Sequence, residues 1–313
     1  MIRIPAHIGR KILRTCINRK PMRNLGMSVS PGDSHLVTVR LYIGHVGREL
    51  PGLDFSTPNV ARMYDYLLGG LNNFAADRAA AERVLTHLPQ QRAAAIENRQ
   101  FIDRAVRFLA APEQGISQFL DVGAGLPTRQ SVHEVAKLVN PACRVAYVDY
   151  DPVVVSHGKA MLAERDCSVV VQEDLCEPAA LLGNQEIRSH LDLSRPVGLI
   201  LVNILHWIAD ADRPRQALGM LRDALAPGSY LVLTHMSEDL IGTSDRDAAK
   251  RAARVFDTAS AQLWFRGRAE VLTFFDGWQL VEPGLVPKHE WRPVPSAGPS
   301  IFDIAYGGVA VKP

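Results

Sequence analysis

The sequence predicts an α/β protein with a doubly wound sheet, because strand-like and helix-like segments alternate along most of the chain. The clearest unit is an apolar run at residues 119–122, followed by the turn Gly123-Ala124-Gly125 and a helix at about 130–139. The last two strands flank a proline-rich turn and suit an antiparallel edge pair. These observations predict a Rossmann-like, mostly parallel sheet of seven strands with an antiparallel last strand. The other predicted strands are 144–148, 168–172, 197–202, 230–234, 279–282 and 302–311.

Three predicted helices precede the first strand and form an N-terminal helical cap at residues 51–115. The first helix begins at the Ser-Thr-Pro string of residues 56–58, where a hydroxyl side chain can cap the helix and the proline fits its first turn. It stops at the Gly-Gly pair of residues 69–70. It contains Tyr64 and Tyr66. It is therefore either an amphipathic helix on the core or a lid that lays a tyrosine over a ligand. The other two helices are predicted at residues 77–87 and 90–110.

The start of the chain differs from the rest in charge. Residues 1–23 hold seven basic side chains and no acidic one, and without them the chain has 28 Lys and Arg against 33 Asp and Glu. Residues 1–50 are predicted to be a disordered basic leader, although residues 36–43 have strand composition without an evident partner. A short basic helix that touches nucleic acid or a membrane is the alternative. A larger domain is predicted at 116–313.

Composition argues against several classes of protein. The acidic balance of the body argues against a surface built to hold nucleic acid. No apolar run approaches the roughly 18 residues of a membrane span, and the basic start lacks the apolar core of a signal peptide. The four cysteines show neither a C-x-x-C pair nor a histidine spacing for zinc, so no metal site is predicted. We expect a protein of the reducing cytoplasm, without a membrane partner.

Acidic residues follow two strands at the sheet edge where open α/β folds bind ligands. Asp149 ends the second strand, at the place where a carboxylate can hold the hydroxyls of a ribose. Asp174 follows the third strand. Thr128 stands where a dinucleotide-binding turn has its third glycine, so a pyrophosphate is a poorer candidate ligand than a nucleoside without phosphates.

Polar side chains also follow the strand at residues 197–202. Asn203 and His206 come directly after it, and groups just past a central strand face the cleft. His206 is either a structural histidine or a site residue. His235, after the following strand, is a further candidate.

Four features of the larger domain occur in the order of known motifs. They are Asp-Val-Gly-Ala-Gly at 121–125, Asp149, the pair Asp174-Leu175, and Leu-Ala-Pro-Gly-Ser-Tyr-Leu at 225–231. They resemble, in turn, the first motif, the ribose-binding acid, the adenine contact and the entry to strand five of class I S-adenosylmethionine-dependent methyltransferases, with Ser229 in place of a glycine. The resemblance implies S-adenosyl-L-methionine as the cofactor. The residues implied to bind it are Asp121, Gly123, Ala124, Gly125, Asp149, Tyr150, Asp174, Leu175 and Asn203.

Longer strings narrow the resemblance. They are Asn-Val-Ala-Arg-Met-Tyr-Asp-Tyr-Leu-Leu-Gly-Gly at 59–70, Asn-Phe-Ala-Ala-Asp-Arg at 73–78, Asn-Arg-Gln-Phe at 98–101, Tyr-Val-Asp-Tyr-Asp-Pro at 147–152 and Trp-Arg-Pro at 291–293. With them the chain resembles the actinobacterial DUF574 family of S-adenosyl methyltransferases over about residues 50–313. This implies a class I methyltransferase domain at 116–313 and says more about the cofactor than about the acceptor.

The resemblance implies methyl transfer to an unidentified acceptor, expected to be a small molecule. Because methyl transfer is an in-line displacement at a sulfonium, positioning can supply most of the catalysis, and a general base is needed only for a protonated acceptor. The catalytic candidates are His206, Tyr64 and Tyr66. An NAD-dependent oxidoreductase is one alternative, against which Asp174 and the missing third glycine count. A cofactor-binding regulator without turnover, using the basic leader on DNA, is the other.

Overall fold

The computed structural model describes residues 2–5, 25–31, 36–43, 56–127, 131–162, 166–209, 212–293 and 303–313. The chain divides into two compact units, Met1–Leu53 and Asp54–Pro313. Within the described residues, no helix is both long enough and apolar enough to cross a membrane.

The first unit contains a three-stranded antiparallel sheet. Its strands are β1 (Ile2–Pro5), β2 (Leu25–Pro31) and β3 (Leu36–Ile43), with β3 in the middle. The sequence predicted a disordered leader here, whereas these three segments pair through their backbones. The β-branched residues of β3 suit such a ladder. The division of the chain into leader, cap and methyltransferase domain stays a prediction.

The second unit is built on an eight-stranded sheet. Its parallel part has the order β6-β5-β4-β7-β8, and β11 joins β8 antiparallel. Two short strands, β9 and β10, pair with β11, so the sheet has one strand more than predicted. The predicted fold class is confirmed. The strands are β4 (Gln118–Val122), β5 (Arg144–Asp149), β6 (Ser168–Gln172), β7 (Gly198–Leu201), β8 (Tyr230–Met236), β9 (Gln279–Leu280), β10 (Val286–Pro287) and β11 (Ala305–Val311).

The segment at residues 246–275 is not one continuous helix. Residues 259–267 are neither helix nor strand, because their backbone bonds elsewhere: Ser260 N donates to Pro58 O, and Trp264 N donates to His206 O, each at 2.8 Å. The helices of the described residues are α1 (Val60–Leu67), α2 (Ala75–His87), α3 (Gln91–Ala110), α4 (Val132–Val139), α5 (Pro152–Leu162), α6 (Pro178–Gly183), α7 (Gln185–His190), α8 (Asp212–Ala224), α9 (Arg246–Arg254) and α10 (Arg268–Thr273).

Alternate residues of β4 enter two apolar clusters, one on each face of the sheet. Phe119 packs with α3, α4 and α5, whereas Leu120 and Val122 pack with α6, α7, α8 and α10. Helices therefore cover both faces, and the carboxyl ends of the parallel strands are the part of the sheet where loops meet.

A buried ion pair ties the helical cap together. Arg62 Nε lies 2.9 Å from Asp77 Oδ2, and both side chains are buried. Asp77 also accepts the Asn59 N–H at 2.9 Å, and Asn59 Oδ1 accepts the Ala61 N–H at 2.9 Å. The predicted helix start at residues 56–58 is therefore wrong, because Asn59, fixed by Asp77, caps α1. The predicted stop is confirmed at Gly69, whose φ is +78°.

Candidate functional site

Two glycines shape the turn after β4. Gly123 has φ +74° and Gly125 has φ +66°, the left-handed region that glycine adopts without strain. A Cβ on Gly123 would lie 2.6 Å from Ile204 Cδ1, whereas a Cβ on Gly125 would meet no atom of the described residues within 4 Å. The turn thus needs glycine at Gly123 for packing, and at Gly125 it leaves the main chain open to an approaching ligand.

Asp149, at the end of β5, holds this turn in place. Its Oδ2 accepts the Gly125 N–H at 2.9 Å, and its Oδ1 accepts the Asp151 N–H at 3.0 Å. Burial raises the pKa of the Asp149 carboxyl. Since a carboxylate has about four acceptor positions, the two bonds leave capacity for the hydroxyls of a ligand.

Asp151 has a structural task beside it. Its Oδ1 accepts the Val153 N–H at 2.7 Å and so caps α5. Its Oδ2 accepts a hydrogen bond from Asn59 Nδ2, which joins the start of α1 to the sheet edge.

An open groove runs along the carboxyl ends of β4, β5, β6 and β7. It consists of two adjoining clefts of ≈ 460 and ≈ 890 Å³ that share Gly123, Asp149, Tyr150, Ile204 and Trp207 in their walls. The structure thereby brings together seven of the predicted cofactor residues. They are Gly123, Gly125, Asp149, Tyr150, Asp174, Leu175 and Asn203.

Asp121 and Ala124 line a smaller cavity of ≈ 410 Å³ on the other side of the turn, together with Arg99 and Tyr147. Burial, together with the charge of Asp149, raises the pKa of the Asp121 carboxyl to about 7, and the nearby Arg99 guanidinium partly offsets this rise. Near neutral pH this carboxyl is poised to lose a proton to a change in its surroundings.

A second space, the inner cavity, lies behind the groove. It measures ≈ 730 Å³, including its solvent-open part, and is lined mainly by apolar side chains of α1, α2, α3, α9 and the segments around them. Val60, Asn203 and Trp207 line both the inner cavity and the groove. The two spaces therefore meet at these three residues.

Asn203 occupies this meeting point in an uncommon backbone conformation. Its φ is +59°, a region that non-glycine residues adopt rarely and that asparagine tolerates best. Its N–H donates to Thr234 Oγ1 at 3.0 Å, and its carbonyl accepts the Trp207 indole N–H at 3.0 Å. These bonds hold Trp207 between the two spaces.

His206 borders the inner cavity, and its side chain is buried. Its Nδ1 has no hydrogen-bond partner among the described residues. Burial, and secondarily the cationic Arg266 and Lys288 and the ionisable ring of His235, hold the pKa of His206 well below its usual range. The ring is therefore neutral near pH 7, with a lone pair available.

Tyr64 lies in the wall of the inner cavity, and its hydroxyl is already bonded. It donates to Ala95 O at 3.0 Å and accepts from Asn98 Nδ2 at 3.1 Å. Burial raises the pKa of the Tyr64 hydroxyl. Tyr64 therefore lines the inner cavity, and its hydroxyl is not free to act as an acid or a base.

Tyr66 and His235 lie apart from the groove and the inner cavity. The Tyr66 hydroxyl bonds Glu82, away from both spaces. Both ring nitrogens of His235 are engaged, Nδ1 with Met236 O at 2.7 Å and Nε2 with Arg266 Nη1 at 3.0 Å. Burial lowers the pKa of His235 to about 4, so the ring is neutral and structural in its contacts.

Three residues that line these spaces had no role in the sequence-based prediction. Asn59 and Arg99 occur inside the family-like strings at 59–70 and 98–101, and that was the signal available for them. Trp207 directly follows His206, but a tryptophan after a strand carries no chemical signal of its own.

The chain and its fold are similar to those of known proteins. Residues 47–313 match the family model described as S-adenosyl methyltransferase. The fold matches a candidate methyltransferase from Thermobifida fusca YX at 43% identity, with a TM-score of 0.76, covering 84% of this chain and 97% of that one. It also matches a DUF574 family protein from Streptomyces avermitilis MA-4680 at 36% identity and a TM-score of 0.78, covering 83% and 99%. No curated protein matches the chain.

Proposed function

We propose, from the premise that this chain belongs to the S-adenosyl methyltransferase family, that it binds S-adenosyl-L-methionine in the groove and transfers the methyl group to a small molecule in the inner cavity. The observation that carries the proposal is the wall shared by the two spaces at Val60, Asn203 and Trp207. In-line transfer needs the methyl donor and the acceptor next to each other, and the shared wall sets the two spaces side by side. We expect the reaction in the cytoplasm, from the cysteine pattern.

The groove residues suggest how the cofactor lies. Asp149 would accept the ribose hydroxyls, and Asp174 with Leu175 would meet the adenine. The backbone at Gly125 would lie against the nucleoside. The amino-acid tail would reach the smaller cavity, where Asp121 suits its ammonium and Arg99 suits its carboxylate.

Trp207 suits the sulfonium. An aromatic face attracts a nearby cation by about 0.5–2 kcal/mol, and Trp207 lines the groove as well as the inner cavity. The start of α1 would cover the cofactor, because Asn59, Val60 and Ala61 belong to the groove wall. In this proposal the lid of the sequence-based prediction is the first turn of the helix and not its tyrosines.

Ligand binding tests the proposal directly. We expect S-adenosylhomocysteine to raise the melting temperature and to bind with one-to-one stoichiometry in calorimetry, while NADH does neither at the same concentration. Stabilisation by NADH alone would favour the oxidoreductase alternative. Binding without transfer of labelled methyl to any small molecule from a cell extract would favour the regulator.

Proton release on binding tests the position of Asp121. With a pKa of about 7, this carboxyl is largely protonated at about pH 6, and an ammonium placed beside it would drive the proton off. We expect S-adenosylhomocysteine to release most of one proton at about pH 6 and little at about pH 8, where the carboxyl is already ionised. Calorimetry in buffers of different ionisation enthalpy measures this. The control is Asp121→Asn, and equal release in that variant would assign the proton to another group.

A further inference from the structure

We infer that the methyl acceptor is an uncharged, mainly apolar molecule with a hydroxyl group that donates its hydrogen to the ring of His206. This deepens the proposed function and rests on it. Three observations carry it: the chemistry of the walls of the inner cavity, the pairing of its polar groups, and the position of His206 beside the wall shared with the groove.

The walls of the inner cavity favour an apolar occupant. Most are aliphatic or aromatic, from Met63, Leu67 and Val84 in the cap to Phe256 and Phe265 beyond α9. Burying such a surface against an apolar ligand is favourable, by roughly 25 cal/mol for each Å² removed from water. A sugar or a nucleotide would instead leave its polar groups without partners.

The charges around the inner cavity exclude a charged occupant. Among the described residues that line it there is no carboxylate, so a protonated amine would find no counter-charge. The one ammonium in its wall, that of Lys288, already forms a buried ion pair with Asp303. An acidic acceptor would have to compete with Asp303, because a buried charge without a partner is strongly unfavourable.

Two polar groups in the wall already bond the protein itself. The Tyr64 hydroxyl bonds Ala95 and Asn98, and the Trp207 indole bonds the Asn203 carbonyl. His206 Nδ1 is buried and has no partner among the described residues. His206 lines the inner cavity, and a neutral imidazole has one ring nitrogen that can accept a hydrogen bond from a hydroxyl.

The resulting step balances without a further reactant. The acceptor oxygen forms a bond to the methyl carbon, the bond from that carbon to sulfur breaks, and its electron pair stays on sulfur as the thioether of S-adenosylhomocysteine. The hydroxyl proton passes to His206 and then to water when products leave. His206 faces three positive or ionisable neighbours, His235 on β8, Arg266 before α10 and Lys288 before β11, and these disfavour a lasting imidazolium.

Three naphthalene probes of one shape test the acceptor class on the full chain saturated with S-adenosylhomocysteine. We expect calorimetry to detect 2-naphthol, with 2-naphthoate binding at least about tenfold more weakly because its carboxylate meets no free cation. With labelled S-adenosylmethionine in place of the product, 2-naphthol should become 2-methoxynaphthalene. Tighter binding of 2-naphthoate, or methylation of 2-naphthylamine but not of 2-naphthol, would overturn the inference.

Two alanines of α9 supply a matched pair of variants. Ala249 lines the inner cavity, whereas Ala248, one position earlier, does not. Ala249→Leu should lower the affinity for 2-naphthol at least about tenfold and leave the affinity for S-adenosylhomocysteine unchanged. Ala248→Leu should change neither affinity. Equal 2-naphthol affinity in the two variants would place the probe elsewhere and overturn the inference, while the cofactor proposal would stand on its own binding result.

The variant His206→Gln tests whether His206 acts as a general base or only lines the inner cavity. We expect it to lower the rate of 2-naphthol methylation by about 100-fold or more, with 2-naphthol affinity changed by no more than a few fold. Wild-type rate in this variant, or a loss confined to binding, would remove His206 from the reaction. If S-adenosylhomocysteine fails to bind wild-type protein while 2-naphthol still binds, the proposed function falls and the apolar site remains.

Discussion

Replacing Gly125 by valine is expected to weaken the binding of S-adenosylhomocysteine by about 100-fold or more. The new side chain would project into a space where no atom of the described part of the chain lies within 4 Å of the new Cβ, which is where the nucleoside is proposed to meet the main chain. Isothermal calorimetry measures the affinity, and thermal melting shows whether the fold survives. Valine at φ +66° is also strained, so loss of affinity alone does not identify the cause.

Gly115 provides the control for that strain. It has the same φ of +66°, and a Cβ there would meet only Pro112 O, at 3.8 Å. Gly115→Val should therefore destabilise the fold by a similar amount and leave the affinity unchanged. If both variants lose the same affinity, the effect belongs to backbone strain, and the ligand does not lie against Gly125.

The second large effect is expected at Asp149. Asp149→Ala should weaken S-adenosylhomocysteine by about 10-fold to 150-fold, which corresponds to the roughly 1.5–3 kcal/mol of a hydrogen bond to a charged group. The variant also releases the Gly125 N–H that Asp149 Oδ2 now accepts, so the turn loses support at the same time. Calorimetry at constant pH measures the loss.

Asp151→Ala is the matched comparison, because this second carboxylate lies two residues away with different partners. It caps α5 through Val153 N and bonds Asn59 at the start of α1. We therefore expect a lower melting temperature, from the loss of about 1 kcal/mol of capping, with a smaller change in affinity. A larger loss of affinity at Asp151 than at Asp149 would reverse their assigned roles.

The turn after β4 shows what local sequence can predict. An apolar run, two glycines and a capped helix are neighbours in the chain, so their pattern specified the strand and the turn before any contact was known. The same holds for Asp149 and Asp174, since the carboxyl ends of parallel strands meet at one edge. The glycine turn, Asp149 and Asp174 all lie in the wall of the groove.

The two tyrosines of α1 show the limit of such patterns. They stand two positions apart, which on a helix places them on different faces. Tyr64 borders the inner cavity and bonds α3, whereas Tyr66 bonds Glu82 of α2. The sequence could not show which tyrosine borders the inner cavity, because that depends on which helices pack against α1.

The sequence by itself determined the order of strands and helices, the glycine turn and the acidic residues at the sheet edge, because each depends on residues that are near in the chain or on the common direction of parallel strands. The tertiary structure decided the rest. His206 follows β7 and His235 lies near the end of β8, yet Arg266 engages His235, while His206 keeps a ring nitrogen without a partner among the described residues. That cavity exists only because helices distant in sequence, α1, α2, α3 and α9, pack around one space, and contacts at such separation leave no periodic pattern in the chain.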